Sequence, residues 1–322
     1  MSVTLMKAPP VVAEAKASPR QFSAKMARVS RGHIQYSFEG SGPVVLALHG
    51  SPAGCDQTEM LYRDFIDHGF SLLAPSRPGY LGTALEVGRS VAEQAEAFIE
   101  LADVLGIDKF FIAGYSCGAA SAVHLAARYP NRVLGMILES PVTKPFEHAS
   151  TKGLHGQLLL SSAGSWILQN LITHAPLYSI KRMLDRESTF GEGLNLEARK
   201  IFEDDTKRAH ALSFLEHCMP AKQRLAGLLN DAHQLADFAN DELREVQCPT
   251  LIFHGKCDGE VSLSHSEHAA QQIRTSRFVP VPNACHLLCV SDRWELIKKM
   301  RRDFCSAVLR GDKEPFAGCT LR

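Results

Sequence analysis

The sequence has no Cys-x-x-Cys pair, although it contains nine cysteines, at Cys55, Cys117, Cys218, Cys248, Cys257, Cys285, Cys289, Cys305 and Cys319. An odd number without paired spacing reads as free thiols kept in a reducing compartment, so a disulfide framework is excluded and a cytoplasmic location is expected. The chain also lacks an Asn-x-Ser/Thr acceptor, which agrees with that reading. No apolar run is long enough to cross a bilayer. The longest, Leu158 to Ile172, is interrupted by Ser161, Ser162, Ser165, Gln169 and Asn170. Net charge is absent too, with 35 Lys and Arg against 35 Asp and Glu. Nothing on that scale would gather nucleic acid or anionic lipid, whereas zero net charge leaves a homo-oligomer open. His265, His268 and the cysteines near His286 have no recognised metal-ligand spacing, so no metal is expected, and the two histidines read as solvated residues near a helix start. What remains is ordinary globular composition, 45% hydrophobic and 22% charged, over 322 residues, enough for a large core.

From Arg28 onward, short apolar runs alternate with helical periodicity, the pattern of a mostly parallel α/β sheet. His33 to Glu39 and Val44 to Leu48 flank the turn cluster Gly40-Ser41-Gly42-Pro43, which predicts an antiparallel start. Phe70 to Ala74 reads as a buried strand. Ser90 and Glu93 form a capping box, opening a helix with Val91, Ala95, Phe98, Leu101 and Leu105 on one face and Gly106 at its end. Phe110 to Ala113 then predicts a buried strand, Cys117 to Arg128 a helix and Val133 to Leu138 the next strand. After Pro141 the rhythm changes. About a hundred residues show helical periodicity only, with predicted helices over His155 to Ile172, Ile180 to Leu184, Leu196 to Ala211 and Ala221 to Phe238. Strands resume at Thr250 to Phe253 and at Phe278 to Val281, where Pro280 requires an edge. A closing helix carries Trp294, Ile297, Arg301, Phe304 and Val308 on one side.

The chemical signal is Gly114-Tyr115-Ser116-Cys117-Gly118, a G-x-S-x-G set between a buried strand and a helix rich in small residues. A sharp strand-to-helix turn lifts the serine hydroxyl clear of the backbone, and the two glycines remove side chains that would collide there. Ser116 is therefore the expected nucleophile. A serine hydroxyl needs a base, and the base a partner that fixes its tautomer. Asp258, after the Thr250 to Phe253 strand, and His286, after the Phe278 to Val281 strand, lie at carboxyl ends of strands, where loops of an open α/β sheet converge. The chain order Ser, Asp, His is that of α/β hydrolases. Oxyanion donors are the remaining need. His49-Gly50-Ser51-Pro52 follows the Val44 to Leu48 strand; Pro52 has no N–H, so the backbone N–H of Ser51 is expected to act with that of Cys117. The Cys117 thiol itself is expected to pack on a neighbouring strand.

Taken with Ser76-Arg77-Pro78-Gly79-Tyr80, these segments resemble the α/β-hydrolase fold family over about residues 28 to 310. The resemblance implies an eight-stranded sheet flanked by helices, with an all-helical cap inserted after the sixth strand. It divides the chain into a flexible N-terminal arm (1–27), a first part of the core (28–144), the cap (145–240), a second part of the core (241–310) and a C-terminal tail (311–322). It implies a cofactor-free serine hydrolase acting on a small or medium carboxylic ester with an apolar acyl or aryl group. A carbon–carbon bond hydrolase, a hydroxynitrile lyase or a slow-turnover ligand receptor on the same fold are the alternatives. A serine at position 116 separates the chain from haloalkane dehalogenases and soluble epoxide hydrolases, whose nucleophile there is aspartate. Ser51 and the lack of an elbow tryptophan separate it from proline iminopeptidases.

Glu260 and Glu139, at the end of the sixth strand, are rivals of Asp258 for the acid. Arg77 reads either as a loop arginine or as a ligand for a substrate carboxylate. In the cap, Leu158, Leu159, Leu160, Trp166, Ile167 and Leu171 form an apolar stripe, from which Trp166, together with Leu287 beside the base, is taken as a candidate substrate contact.

Overall fold

The structure is a computed structural model that describes residues 24–147, 162–238 and 241–320. Most of the expected arm and the Leu158 to Leu160 stripe lie outside the described residues.

Eight strands form one sheet: β1 (Lys25–Val29), β2 (Gly32–Gly40), β3 (Val44–Leu48), β4 (Ser71–Pro75), β5 (Phe110–Tyr115), β6 (Val133–Glu139), β7 (Thr250–Gly255) and β8 (Ser276–Val281). Their spatial order is β1-β2-β4-β3-β5-β6-β7-β8, parallel from β4 to β8. The antiparallel start differs from the expected one. β2 and β3 do not pair across Gly40 to Pro43; β2 pairs with β4, Tyr36 opposite Pro75, and β1 forms the hairpin with β2. Gly40 (φ +93°) and Gly42 (φ +129°) turn the chain past an intervening strand, and a side chain on either would meet the backbone of Gly69 or Phe70.

Side-chain alternation in the central strands builds a core on each face. Val45, Phe111, Ile137 and Leu251 point to one side, and Leu46, Ile112, Leu138 and Ile252 to the other. On the second side lie α2 (Val91–Val104), with its Ser90–Glu93 capping box formed, and α3 (Gly118–Arg128). On the first lie α1 (Cys55–Tyr62) and the closing helix, Trp294–Arg310. Burial of Arg301 on that closing helix has a local cause: its guanidinium meets Glu139 at 2.9 Å and Asp64 at 2.8 Å and lies 4.7 Å from the Tyr62 and Trp294 rings.

Between β6 and β7 the described residues are helical: α4 (Ser162–His174), α5 (Pro176–Glu187), α6 (Leu194–Glu203), α7 (Asp205–Glu216) and α8 (Leu225–Ala236). This is the inserted cap. The single helix expected over Leu196 to Ala211 is broken at Asp204, whose carboxylate accepts from the N–H groups of Thr206 and Lys207 and so starts α7. Ile180, Met183 and Leu184 of α5 and Ile201 of α6 join the buried cluster on the β3–β5–β6 sheet face. One more helix, α9 (Ser264–Gln272), precedes β8, and the closing helix is α10. No helix among the described residues is long and apolar enough to cross a membrane.

Candidate active site

Ser116 sits in the turn between β5 and α3 with φ +51°, a left-handed conformation that is unusual for a residue with a side chain. The surroundings hold it there. Its N–H donates to Glu139 O at 2.9 Å, and its carbonyl accepts from Val142 and Ala119 at 3.1 Å. The flanking glycines permit the close approach: a Cβ on Gly114 would lie 2.7 Å from Ala119 Cα, and one on Gly118 2.5 Å from His49 O.

The three residues expected to cooperate meet at the carboxyl edge of the sheet. Ser116 Oγ lies 3.1 Å from His286 Nε2, and His286 Nδ1 lies 2.8 Å from Asp258 Oδ2. In the neutral imidazole, an Nδ1–H donated to the carboxylate leaves Nε2 bare, and the serine hydroxyl then donates to it. All three are buried. Burial alone would raise the pKa of Asp258, but the His286 charge and hydrogen bonds from His254 and His286 hold it well below the usual carboxylate range. Burial works against the charged form of His286, and the Asp258 carboxylate, with Glu187 and Glu260 behind it, outweighs this and raises the pKa to about 9.

The rival acids have other partners. Glu139 binds Arg301 and accepts from Tyr62 OH at 3.3 Å, while Glu260 faces Arg186 at 3.4 Å. Arg77 is buried with every guanidinium nitrogen engaged: Nε donates to His49 O, Nη1 to Asp231 at 2.9 Å, and Nη2 to Asp231 and to Ser51 Oγ. His49 is neutral, its pKa depressed by burial and then by Arg77, and its Nε2 accepts from the Arg77 N–H at 2.8 Å. At the turn beside Ser116, neither the Ser51 nor the Cys117 N–H donates to an acceptor among the described residues. A Cβ on Gly50 would sit 3.0 Å from Ser116 Cβ, so this segment runs directly against Ser116.

Other expected positions fall differently. Trp166 is 65% exposed on α4, away from any buried cluster. Leu287 is buried in the main core beside Leu288 and Cys289. The Cys117 thiol belongs to a small apolar cluster with Val142, Phe146, Val261 and the cap residue Leu235, so its neighbours are loops and cap as well as α3. His265 is not solvated: it is buried, and its Nδ1 accepts from Thr143 N at 3.1 Å and Lys144 N at 3.3 Å, tying α9 to the chain after β6. Burial first, and then Lys144, lowers its pKa to about 4. No group of three or more metal-ligating side chains occurs among the described residues.

Three residues near the site escape the sequence reading. His254, in β7, directs Nε2 to both Asp258 Oδ2 (3.0 Å) and Val261 O (2.9 Å), and so fixes Asp258 from behind. Glu187 ends α5, and its carbonyl accepts from the His286 and Gly259 N–H groups. Burial, and then Glu260, raises its carboxyl to about 7. Asp231 of α8 receives Arg77, Ser51 and Tyr80. It did leave a signal: it lies on the helix face of Leu228 and Leu235, where a charge requires a buried partner.

Comparison with known proteins agrees with this geometry. The α/β hydrolase fold family matches residues 43–292. The chain belongs to that family. It is 32% identical over 251 residues to the "Uncharacterized hydrolase YcgS" of Bacillus subtilis, covering 76% of this chain and 84% of that one. It is 28% identical over 248 residues to the 2-hydroxy-6-oxo-6-phenylhexa-2,4-dienoate hydrolase of Burkholderia cepacia, covering 74% and 79%. Among solved structures, an alpha/beta hydrolase fold protein from Nakamurella multipartita superposes with a TM-score of 0.81 at 29% identity, covering 89% of this chain and 99% of that one.

Proposed function

We propose that this α/β-hydrolase-fold enzyme is a serine hydrolase that cleaves an acyl bond of a small carbonyl compound through an acyl-enzyme. The observation that carries the reading is the unbroken line from Ser116 Oγ through His286 to Asp258, at 3.1 Å and 2.8 Å. Ser116 Oγ forms a bond to the carbonyl carbon as its proton passes to His286 Nε2, and Asp258 orients and stabilises the imidazolium. The N–H groups of Ser51 and Cys117 receive the oxyanion. Collapse breaks the bond to the leaving group, which takes the proton back from Nε2. Water then repeats the sequence on the acyl-enzyme.

Two leaving groups suit this machinery: the alcohol of an ester, and a stabilised carbanion released from a carbon–carbon bond. The compound named for the Burkholderia cepacia relative has a ketone, an enol and a carboxylate but no ester. Its hydrolysis therefore breaks a carbon–carbon bond beside a carbonyl, and similarity over three quarters of this chain favours that reading over the ester. Arg77 argues for a different acid-binding arrangement in any such substrate, because it is buried and each of its guanidinium nitrogens already has a partner. The test is parallel hydrolysis of aryl esters and of vinylogous 1,5-diketones by wild type and Ser116→Ala. Faster Ser116-dependent turnover of the diketones would establish the carbon–carbon reading. Turnover of esters alone would return the weight to an esterase, and turnover unaffected by the substitution would refute the mechanism.

A further inference from the structure

Ser51 is the one residue of the proposed oxyanion turn whose side chain is anchored in the cap. Its hydroxyl donates to Asp231, accepts from Arg77 Nη2 at 3.1 Å and lies 2.7 Å from the Tyr80 hydroxyl. Tyr80 in turn donates to Asp231 at 2.5 Å, and Arg77 adds two more bonds to the same carboxylate. One buried cap carboxylate thus gathers donors from three core residues. Burial would push the pKa of Asp231 up, but the Arg77 charge overrides this and keeps it ionised.

The backbone around this cluster is tightly closed. Gly227 of α8 donates to Gly79 O at 2.9 Å, and Leu81 N donates to Gln223 O at 2.7 Å. A Cβ on Gly227 would lie 2.2 Å from the Tyr80 ring, so α8 presses directly on the loop that carries Arg77 and Tyr80. On the other side, Gly50 abuts Ser116 Cβ. Fixing the Ser51 side chain fixes the rotation of its Cα and with it the direction of its N–H.

We propose that Asp231, acting through the Ser51 hydroxyl, is a positioning residue for the Ser51 N–H, so that a cap residue sets the geometry of the oxyanion site. This rests on the reading of Ser51 as an oxyanion donor. A purely structural pair would only hold the cap down, and the molecule supplies the control. Arg224, just before α8, is buried and forms a second cap-to-core pair with the half-buried Asp56 at 2.7 Å that makes no contact with Ser51.

The experiment measures the second-order rate of fluorophosphonate labelling at Ser116, whose phosphoryl oxygen needs the same donors, together with the affinity for an aryl trifluoromethyl ketone. Wild type, Ser51→Ala, Ser51→Thr, Asp231→Asn and Asp56→Asn are compared. Ser51→Ala should slow labelling by roughly 10- to 100-fold and weaken ketone binding in proportion, less than the loss of a whole oxyanion donor. Ser51→Thr should restore most of both, Asp231→Asn should follow Ser51→Ala, and Asp56→Asn should lower Tm without slowing labelling. Should Asp231→Asn fail to fold, Ser51→Ala still decides. Wild-type rates in Ser51→Ala, or an equal loss in Asp56→Asn, would overturn the proposal. Absence of Ser116 labelling in wild type would instead overturn the serine-hydrolase reading on which it rests.

Discussion

Strands β6 and β7 lie side by side, and each delivers a buried carboxylate at its carboxyl end: Glu139 as the last residue of β6, and Asp258 three residues beyond β7. Their partners differ in kind. Glu139 is held by Arg301, a cation that does not give up its proton, and by Tyr62; burial still leaves its pKa raised. Asp258 is held by two imidazoles and by the N–H groups of Glu260 and Val261, and its pKa is lowered. One carboxylate closes an ion pair beneath the sheet edge. The other faces a group that can exchange a proton with Ser116. Depth and strand position are alike, so the neighbour's ability to titrate is what separates a structural acid from a candidate catalytic one.

Asp258→Asn should break the proposed proton relay most severely, lowering kcat by about 10³- to 10⁴-fold with little change in Tm, because the wrong His286 tautomer is then favoured. Steady-state kinetics on a substrate turned over by wild type, with a melting curve, checks both parts. Glu139→Gln should show the opposite profile. It removes the buried anion that meets Arg301 Nη1 and should cost up to about 3 kcal/mol of stability, read by urea denaturation, with kcat changed only a few-fold.

The pH profile sharpens the contrast further. In the proposed mechanism Ser116 is activated only when His286 is neutral, so kcat/KM should rise with pH through an inflection near the His286 pKa of about 9. Glu187→Gln removes one of the negative charges that favour the imidazolium and should move that inflection to lower pH. An inflection unmoved in Glu187→Gln would remove the cap carboxylate from the account. At the small end, Trp166→Ala, on the exposed outer part of α4, should change kcat/KM less than twofold and stability by no more than about 0.5 kcal/mol.

Reading the core from sequence succeeds where local chemistry and tertiary position agree. The capping box at Ser90, the glycines around Ser116 and the proline of edge strand β8 each permit few structures, and each is found as expected. The missed first hairpin shows the converse: Gly40 to Pro43 specifies a turn but not which strand fills the gap beyond it. In the cap, amphipathic periodicity gives helices but not their breaks, because Asp204 reads as an ordinary polar position until its side chain is seen capping α7. Ser116, Asp258 and His286 are legible because each follows a strand. The roles of Asp231 and Glu187 are not, since the groups they meet are remote in sequence; His254 lies only four residues before Asp258, and only the folded loop after β7 turns that carboxylate back onto its ring.

The most direct test of the central claim is intact-mass analysis after fluorophosphonate treatment of wild type and Ser116→Ala. One adduct per wild-type chain, localised to the peptide containing Ser116 and absent from the folded variant, is the predicted result. An unlabelled wild type, or equal labelling of the Ser116→Ala protein, would contradict the assignment of Ser116 as nucleophile.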